Sequence, residues 1–130
     1  MKKETLRRRF SEYFETINNV RLALLYGSIV EERLNQHSDI DIAVGGSISP
    51  EDLLTMKRDL SVLSGREIDI MDLRKAEGII LHRIMTKGLR IKDDTELFVH
   101  YLKKALYYIE DFYPLQKMVQ NAQIRSFIDG

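Results

Sequence analysis

Asp39 and Asp41 stand two residues apart in the run Asp39-Ile40-Asp41-Ile42-Ala43-Val44, and Asp69 sits in a similar run, Glu67-Ile68-Asp69-Ile70-Met71. Both runs alternate with the period of a β-strand. On a strand, residues i and i+2 project from one face, about 6.6 Å apart along the axis, so Asp39 and Asp41 share a face. Two carboxylates so placed repel each other unless a cation sits between them. A hard divalent ion such as Mg²⁺ takes oxygen ligands, and paired carboxylates plus substrate phosphates are a common way to hold one. If the two strands are neighbours, Asp69 supplies a third carboxylate to the same place. Asp39, Asp41 and Asp69 are therefore the candidate metal ligands and catalytic residues.

Gly27-Ser28 follows the apolar run Val20-Arg21-Leu22-Ala23-Leu24-Leu25-Tyr26. Glycine lets a phosphate approach the backbone closely, and a helix start offers free N–H groups to an anion. Ser28 adds a hydroxyl donor. A phosphate cradle facing a metal site suits phosphoryl or nucleotidyl transfer, in which metals neutralise charge and align the attacking and leaving oxygens. Each piece alone has an ordinary explanation. A Gly-Ser after a strand is commonly a turn, an Asp-x-Asp an edge strand with a wet face, and Asp72 a helix cap. The combination carries the inference.

The elements that must position these groups are legible from periodicity. Leu6, Phe10, Phe14 and Ile17 predict a helix over 4–17, and the run over 20–26 a strand buried on both faces. A short helix is expected over 28–34 and a strand over 39–44. Ser49-Pro50-Glu51-Asp52 is a helix start that ends at Gly65, with Leu53, Met56, Leu60 and Leu63 as its apolar stripe. The second acidic strand spans 67–71, Asp72 caps a helix to Lys87, and 89–92 forms a short last strand. Thr95 caps a helix to about 112, and after Pro114 a final helix covers 115–128. The fold class is α/β (α+β), a mixed sheet of three or four strands flanked by helices, with a helical C-terminal extension. Residues 1–94 form the main domain and 95–130 the extension of the same domain.

Composition excludes several functions. The 130 residues carry 20 basic and 20 acidic side chains, and this balance provides no basic stripe for direct nucleic-acid binding. The run Lys2, Lys3, Arg7, Arg8 and Arg9 reads as a solvated helix face beside Glu4 and Glu12. The absence of cysteine rules out thiolate metal sites and cysteine nucleophiles, and it agrees with a cytoplasmic setting. No apolar run is long enough to span a bilayer. His37, His82 and His100 form no ligand spacing, and no Ser-His-Asp arrangement is evident.

Gly27-Ser28, ten intervening residues and then Asp39-Ile40-Asp41, preceded by Ser38, resembles the signature of the DNA polymerase β-like nucleotidyltransferase superfamily. The run through Ile42-Ala43-Val44 is most similar to its minimal members, the MNT proteins, and Glu67-Ile68-Asp69-Ile70-Met71-Asp72-Leu73 resembles their second acidic strand. With the Gly88 region and the helical tail, the resemblance covers essentially the whole chain. It implies the polymerase β-like fold, with two Mg²⁺ ions held by Asp39, Asp41 and Asp69. It implies that Gly27, Ser28 and Ser38 bind the nucleotide, with ATP as substrate. Asp69 would orient or deprotonate an acceptor hydroxyl, a nucleoside monophosphate would be transferred, and pyrophosphate would leave. It also implies a partner, a HEPN-domain toxin, toward which an MNT protein acts as antitoxin by adding AMP to a tyrosine.

One departure stands beside this resemblance. The family often has Ala-Arg-Gly shortly after its Gly-Ser, where this chain has Val30, Glu31 and Glu32. It leaves a second reading open, a non-catalytic antitoxin that inhibits its partner by contact. A third is a small-molecule nucleotidyltransferase acting on an aminoglycoside-like hydroxyl, for which the chain lacks an obvious recognition domain. The tail carries more aromatic surface than one stripe needs, including Tyr107, Tyr108, Phe112, Tyr113 and Phe127. That surface fits a partner, a second copy of the chain (a homo-oligomer), or the chain's own core.

Overall fold

A computed structural model of the chain describes residues 2–30 and 39–108, together with 110, 117, 120 and 121. Strands β1 (Val20–Tyr26), β2 (Ile40–Gly46), β3 (Ile68–Asp72) and β4 (Leu89–Lys92) hydrogen-bond into one sheet in the order β3-β2-β1-β4. β1 runs antiparallel to both β2 and β4, while β2 and β3 are parallel. A parallel pair needs a crossover connection, and helix α2 (Pro50–Ser64) supplies it.

Helices cover both faces of the sheet, which is why β1 is apolar on both sides. On one face, Leu6, Phe10 and Phe14 of helix α1 (Lys3–Glu15) and Met56 and Leu60 of α2 pack against Ala23, Leu25, Ile40, Ile42 and Val44. On the other, Leu81, Ile84 and Met85 of helix α3 (Gly78–Lys87) and Tyr101 and Ala105 of helix α4 (Thr95–Tyr107) pack against Leu22, Leu24, Tyr26 and Ala43. Only Arg21 of β1 is exposed. It pairs instead with Asp94 at 2.9 Å.

Local signals hold most strongly at α2. The Asp52 N–H donates to Ser49 Oγ at 3.1 Å, and the Ser49 N–H donates to the Asp52 carboxylate at 2.9 Å, a reciprocal cap. Asn19 also donates to Asp52 and so ties the cap to the start of β1. Gly65 ends α2 at φ +67°, in the left-handed region that glycine enters without penalty.

Several boundaries differ from the sequence expectations. Asp72 caps no long helix. It accepts from the Arg74 N–H at 2.9 Å and closes one 3₁₀ turn (Leu73–Lys75), and α3 begins only at Gly78. The Arg74 guanidinium grips the buried Asp72 carboxylate and reaches the Ile48 carbonyl, so this segment is folded onto the loop before α2. α4 is capped by Asp94, which accepts from the Leu97 N–H at 3.0 Å, because Thr95 already has helical backbone. β2 continues through Gly45 and Gly46, which pair with Leu22 and Val20 across a bulge in β1. Of the short helix expected over 28–34, the described part is a 3₁₀ turn (Gly27–Ile29). Most of the final helix expected over 115–128, with Phe112, Tyr113 and Phe127, lies outside the described residues. Of the tail aromatics that are described, Tyr101 is buried and Phe98 packs against the core, while Tyr107 is exposed. No helix among the described residues is long and apolar enough to cross a membrane.

Candidate active site

The register of the sheet assembles the acids. Asp41 on β2 lies opposite Asp69 on the parallel neighbour β3, and opposite Tyr26 on the antiparallel neighbour β1. Residues directly opposite on adjacent strands share a face, so Tyr26, Asp41 and Asp69 form one row across three strands. Asp39 precedes β2 and stands one same-face step from Asp41. The row lies on the α3/α4 face, the face to which Tyr26 and Ala43 belong. Asp41 is half-buried, while Asp39 and Asp69 are exposed, so the row emerges from the core at one end of the sheet.

Gly27 begins the turn after β1 at φ +74°. A Cβ built there would overlap the Oδ2 atom of Asp41. The left-handed backbone favours glycine, and any side chain here would push the Asp41 carboxylate aside. The turn that follows is closed by the Val30 N–H donating to the Gly27 carbonyl at 3.1 Å. Ser28 is half-buried beside it.

The electrostatics follow from this crowding. Burial raises the pKa of the Asp41 carboxyl, and the charges of Asp69 and then Asp39 raise it further. The Tyr26 phenol is pushed up to about 12, first by burial and then by Asp41 and Asp69. Burial is the larger cause of both shifts, and the smaller, coulombic part records concentrated negative charge, which a cation would relieve. The donor set, carboxylate oxygens only, fits a hard divalent ion such as Mg²⁺ in its chemistry. Among the described residues, however, no three His, Cys, Asp or Glu side chains converge on one metal-sized point. The backbone brings the acids side by side; the side-chain rotamers do not close them into a ligand cage.

Of the residues singled out in the sequence, Gly27, Ser28, Asp39, Asp41 and Asp69 meet at this end of the sheet. Ser38, Glu31, Glu32 and His37 lie outside the described residues. Asp72 is engaged as a cap and an ion-pair partner of Arg74 rather than in the acid row. Tyr26 was not anticipated. Its only signal was its place as the last residue of the strand before Gly27-Ser28, where antiparallel pairing with the Asp-x-Asp strand sets it beside the acids.

Asp39, Glu67, Ile68 and Asp69 line a cleft of about 590 Å³ with Leu54, Lys57, Arg58 and Ser61 of α2. A groove of about 670 Å³ lies between α3 and α4, lined by Leu81, His100 and Tyr107 among others, and none of the three acids borders it.

A family model described as Polymerase beta, Nucleotidyltransferase matches residues 9–97. The protein adenylyltransferase MntA of Shewanella oneidensis is 27% identical over 89 residues, a match that spans 65% of this chain. It spans 64% of that relative's own length. Among solved structures, a toxin–antitoxin complex with AMP-PNP superposes with a TM-score of 0.69 at 21% identity, over 95% of this chain and 98% of the matched one. The toxin–antitoxin MntA–HepT superposes with a TM-score of 0.65 at 20% identity, over 96% and 98%. A tri-AMPylated Shewanella oneidensis HEPN toxin in complex with MNT antitoxin gives 0.66 at 19% identity, over 97% and 98%. At these identities the superpositions establish the shared fold, a mixed sheet flanked by helices.

Proposed function

The chain belongs to the polymerase beta nucleotidyltransferase family, a nucleotidyltransferase by descent, and from that premise we propose that it is an antitoxin that transfers AMP from ATP to a tyrosine of a HEPN-domain toxin. The observation that carries this reading is the row of Asp41 and Asp69 on adjacent strands, with Asp39 beside them and Gly27 packed against Asp41. The choice of AMP, of a HEPN protein as partner and of the antitoxin role is supported by the likeness to a protein adenylyltransferase and to HEPN toxin complexes, one of them AMPylated.

Asp39, Asp41 and Asp69 would hold Mg²⁺, two ions by analogy with the family pattern. When bound, the metal neutralises phosphate charge and orients the reacting oxygens. Gly27 admits the triphosphate close to the backbone, Ser28 offers a hydroxyl donor, and Ser38 is assigned to the nucleotide from the sequence resemblance alone. The tyrosine oxygen attacks the α-phosphorus, the bond to the β-phosphate oxygen breaks, and pyrophosphate leaves. Asp69, at the solvent end of the row, accepts the phenolic proton or orients the hydroxyl.

The test is incubation of the protein with radiolabelled ATP, Mg²⁺ and the HEPN-domain partner, beside an Asp39→Asn/Asp41→Asn double variant. Label on the partner from the wild type and none from the variant is the expected result. The acidic pair Glu31-Glu32, where the family often has Arg-Gly, favours one second reading, inhibition by contact alone. No label from either protein, with both still co-purifying with the partner, would establish that second reading instead.

A further inference from the structure

Two cations with no ion-pair partner among the described residues stand at the α2 side of the carboxylate row. Lys57 and Arg58 line the cleft that Asp39, Glu67 and Asp69 also border. Among the described residues neither makes an ion pair or a side-chain hydrogen bond. Leu54, which shares their helix and the same cleft, is 69% exposed.

Sheet order decides which substrate these groups face. Gly27 and Ser28 lie at the end of β1, Asp39 and Asp41 at β2, Asp69 on the edge strand β3, and α2 packs beside β3. In an in-line displacement the nucleophile and the leaving group occupy opposite sides of the phosphorus. With the terminal phosphates of the nucleotide at Gly27-Ser28, pyrophosphate departs on the β1 side and the acceptor hydroxyl arrives on the β3 side. Lys57 and Arg58 therefore border the acceptor rather than the nucleotide.

We propose that the cleft between α2 and β3 is the acceptor-docking surface, and that Lys57 and Arg58 select a protein segment carrying carboxylates beside its acceptor hydroxyl, with an apolar residue over Leu54. The charge logic is directional. An acidic segment is repelled by Asp39, Glu67 and Asp69 on the strand side of the cleft and drawn to the two cations on α2. Its acidic flank thus turns toward α2 while its neutral hydroxyl turns toward Asp69. This inference rests on the AMP-transfer reading above and adds to it the chemistry of the acceptor.

The test is the Lys57→Glu/Arg58→Glu double reversal, at two exposed positions, in AMP transfer to the HEPN-domain partner with acceptor and ATP varied separately at low and high salt. The KM for the partner should rise about tenfold or more, since like charges then face each other. The KM for ATP should stay as it is, and the salt dependence of the acceptor KM should weaken. A thermal melt checks folding, and Lys57→Gln/Arg58→Gln should show a smaller rise with the same selectivity. A rise confined to the KM for ATP would assign the cations to the nucleotide, and no change in either would remove them from the site; each overturns the proposal. A wild type that transfers no AMP fails the functional reading separately, and partner affinity then decides. A loss of about tenfold on double reversal supports the docking surface, and unaltered affinity overturns it.

Discussion

Replacing Asp41 by Asn should stabilise the fold while abolishing transfer. Adjacent strands are about 4.8 Å apart, so ionised Asp41 sits close to Asp69, and Asp39 is its same-face neighbour. Two unit charges about 5 Å apart repel by about 0.8 kcal/mol in a water-like medium and about 3 kcal/mol at an effective dielectric of ~20. Asp39 and Asp69 are exposed, which places the value near the lower figure, or about 1–2 kcal/mol for both neighbours after solvent screening. The sign follows from the direction of the shift. The folded-state pKa of Asp41 is raised, by burial first and then by Asp69 and Asp39. Folding stability therefore falls as pH rises from the unfolded carboxyl value of about 3.9 through the folded value, and the penalty is complete above it. Asp41→Asn removes that penalty. In chelator at pH 7 the variant should gain about 1–2 kcal/mol, or about 3–8 °C in Tm for a chain of this size. At pH ~3, below the unfolded carboxyl pKa, the gain should vanish. Added Mg²⁺ should raise the wild-type Tm more than that of the variant. Urea and thermal denaturation at both pH values supply the measurement. A variant less stable than wild type at pH 7, or a gain that persists undiminished at pH 3, would refute the crowded-carboxylate argument.

Gly27→Ala should cost about 1–2 kcal/mol from its left-handed backbone and also displace the Asp41 carboxylate, so AMP transfer should fall well beyond the loss of folded protein. Gly65→Ala is the matched control, because Gly65 also has positive φ but nothing lies within 4 Å of an added Cβ; it should lose stability and keep specific activity. Asp72→Asn should cost about 1–2 kcal/mol by urea denaturation, through the lost ion pair with half-exposed Arg74 and the weakened turn cap. Burial alone would raise the Asp72 carboxyl, but the Arg74 hydrogen bonds and charge outweigh it and hold the pKa below its usual value. Its contribution is therefore complete above the unfolded pKa and is lost as pH falls through the folded one. Wild type should accordingly lose more stability between pH 5 and pH 2 than Asp72→Asn does.

Much of the site was legible before folding because its signals are local. A strand period places Asp39 and Asp41 on one face whatever lies around them, and Gly27-Ser28 marks a break after an apolar strand in any context. The α2 start at Ser49-Pro50 and its stop at Gly65 are equally local, set by hydrogen bonds within a few residues. At Asp72 the chain departed from expectation where a distant contact intervened. Asp72 closes a 3₁₀ turn instead of starting a long helix, where Arg74 bridges it to the Ile48 carbonyl across the fold.

By itself the sequence determined the strand and helix periods, the acid pair and the Gly27-Ser28 break after the first strand, since these depend on side-chain spacing along one chain. Tertiary structure decided the rest. The order β3-β2-β1-β4 and the parallel register of β2 with β3 set Asp69 directly beside Asp41. The antiparallel register of β1 adds Tyr26 to the same row. Packing of α2 beside β3 brings Lys57 and Arg58 to the cleft that Asp39 and Asp69 border. None of these neighbours is close in sequence. Pairing between strands is chosen by which faces can be buried together, a property of the whole core that no local window contains.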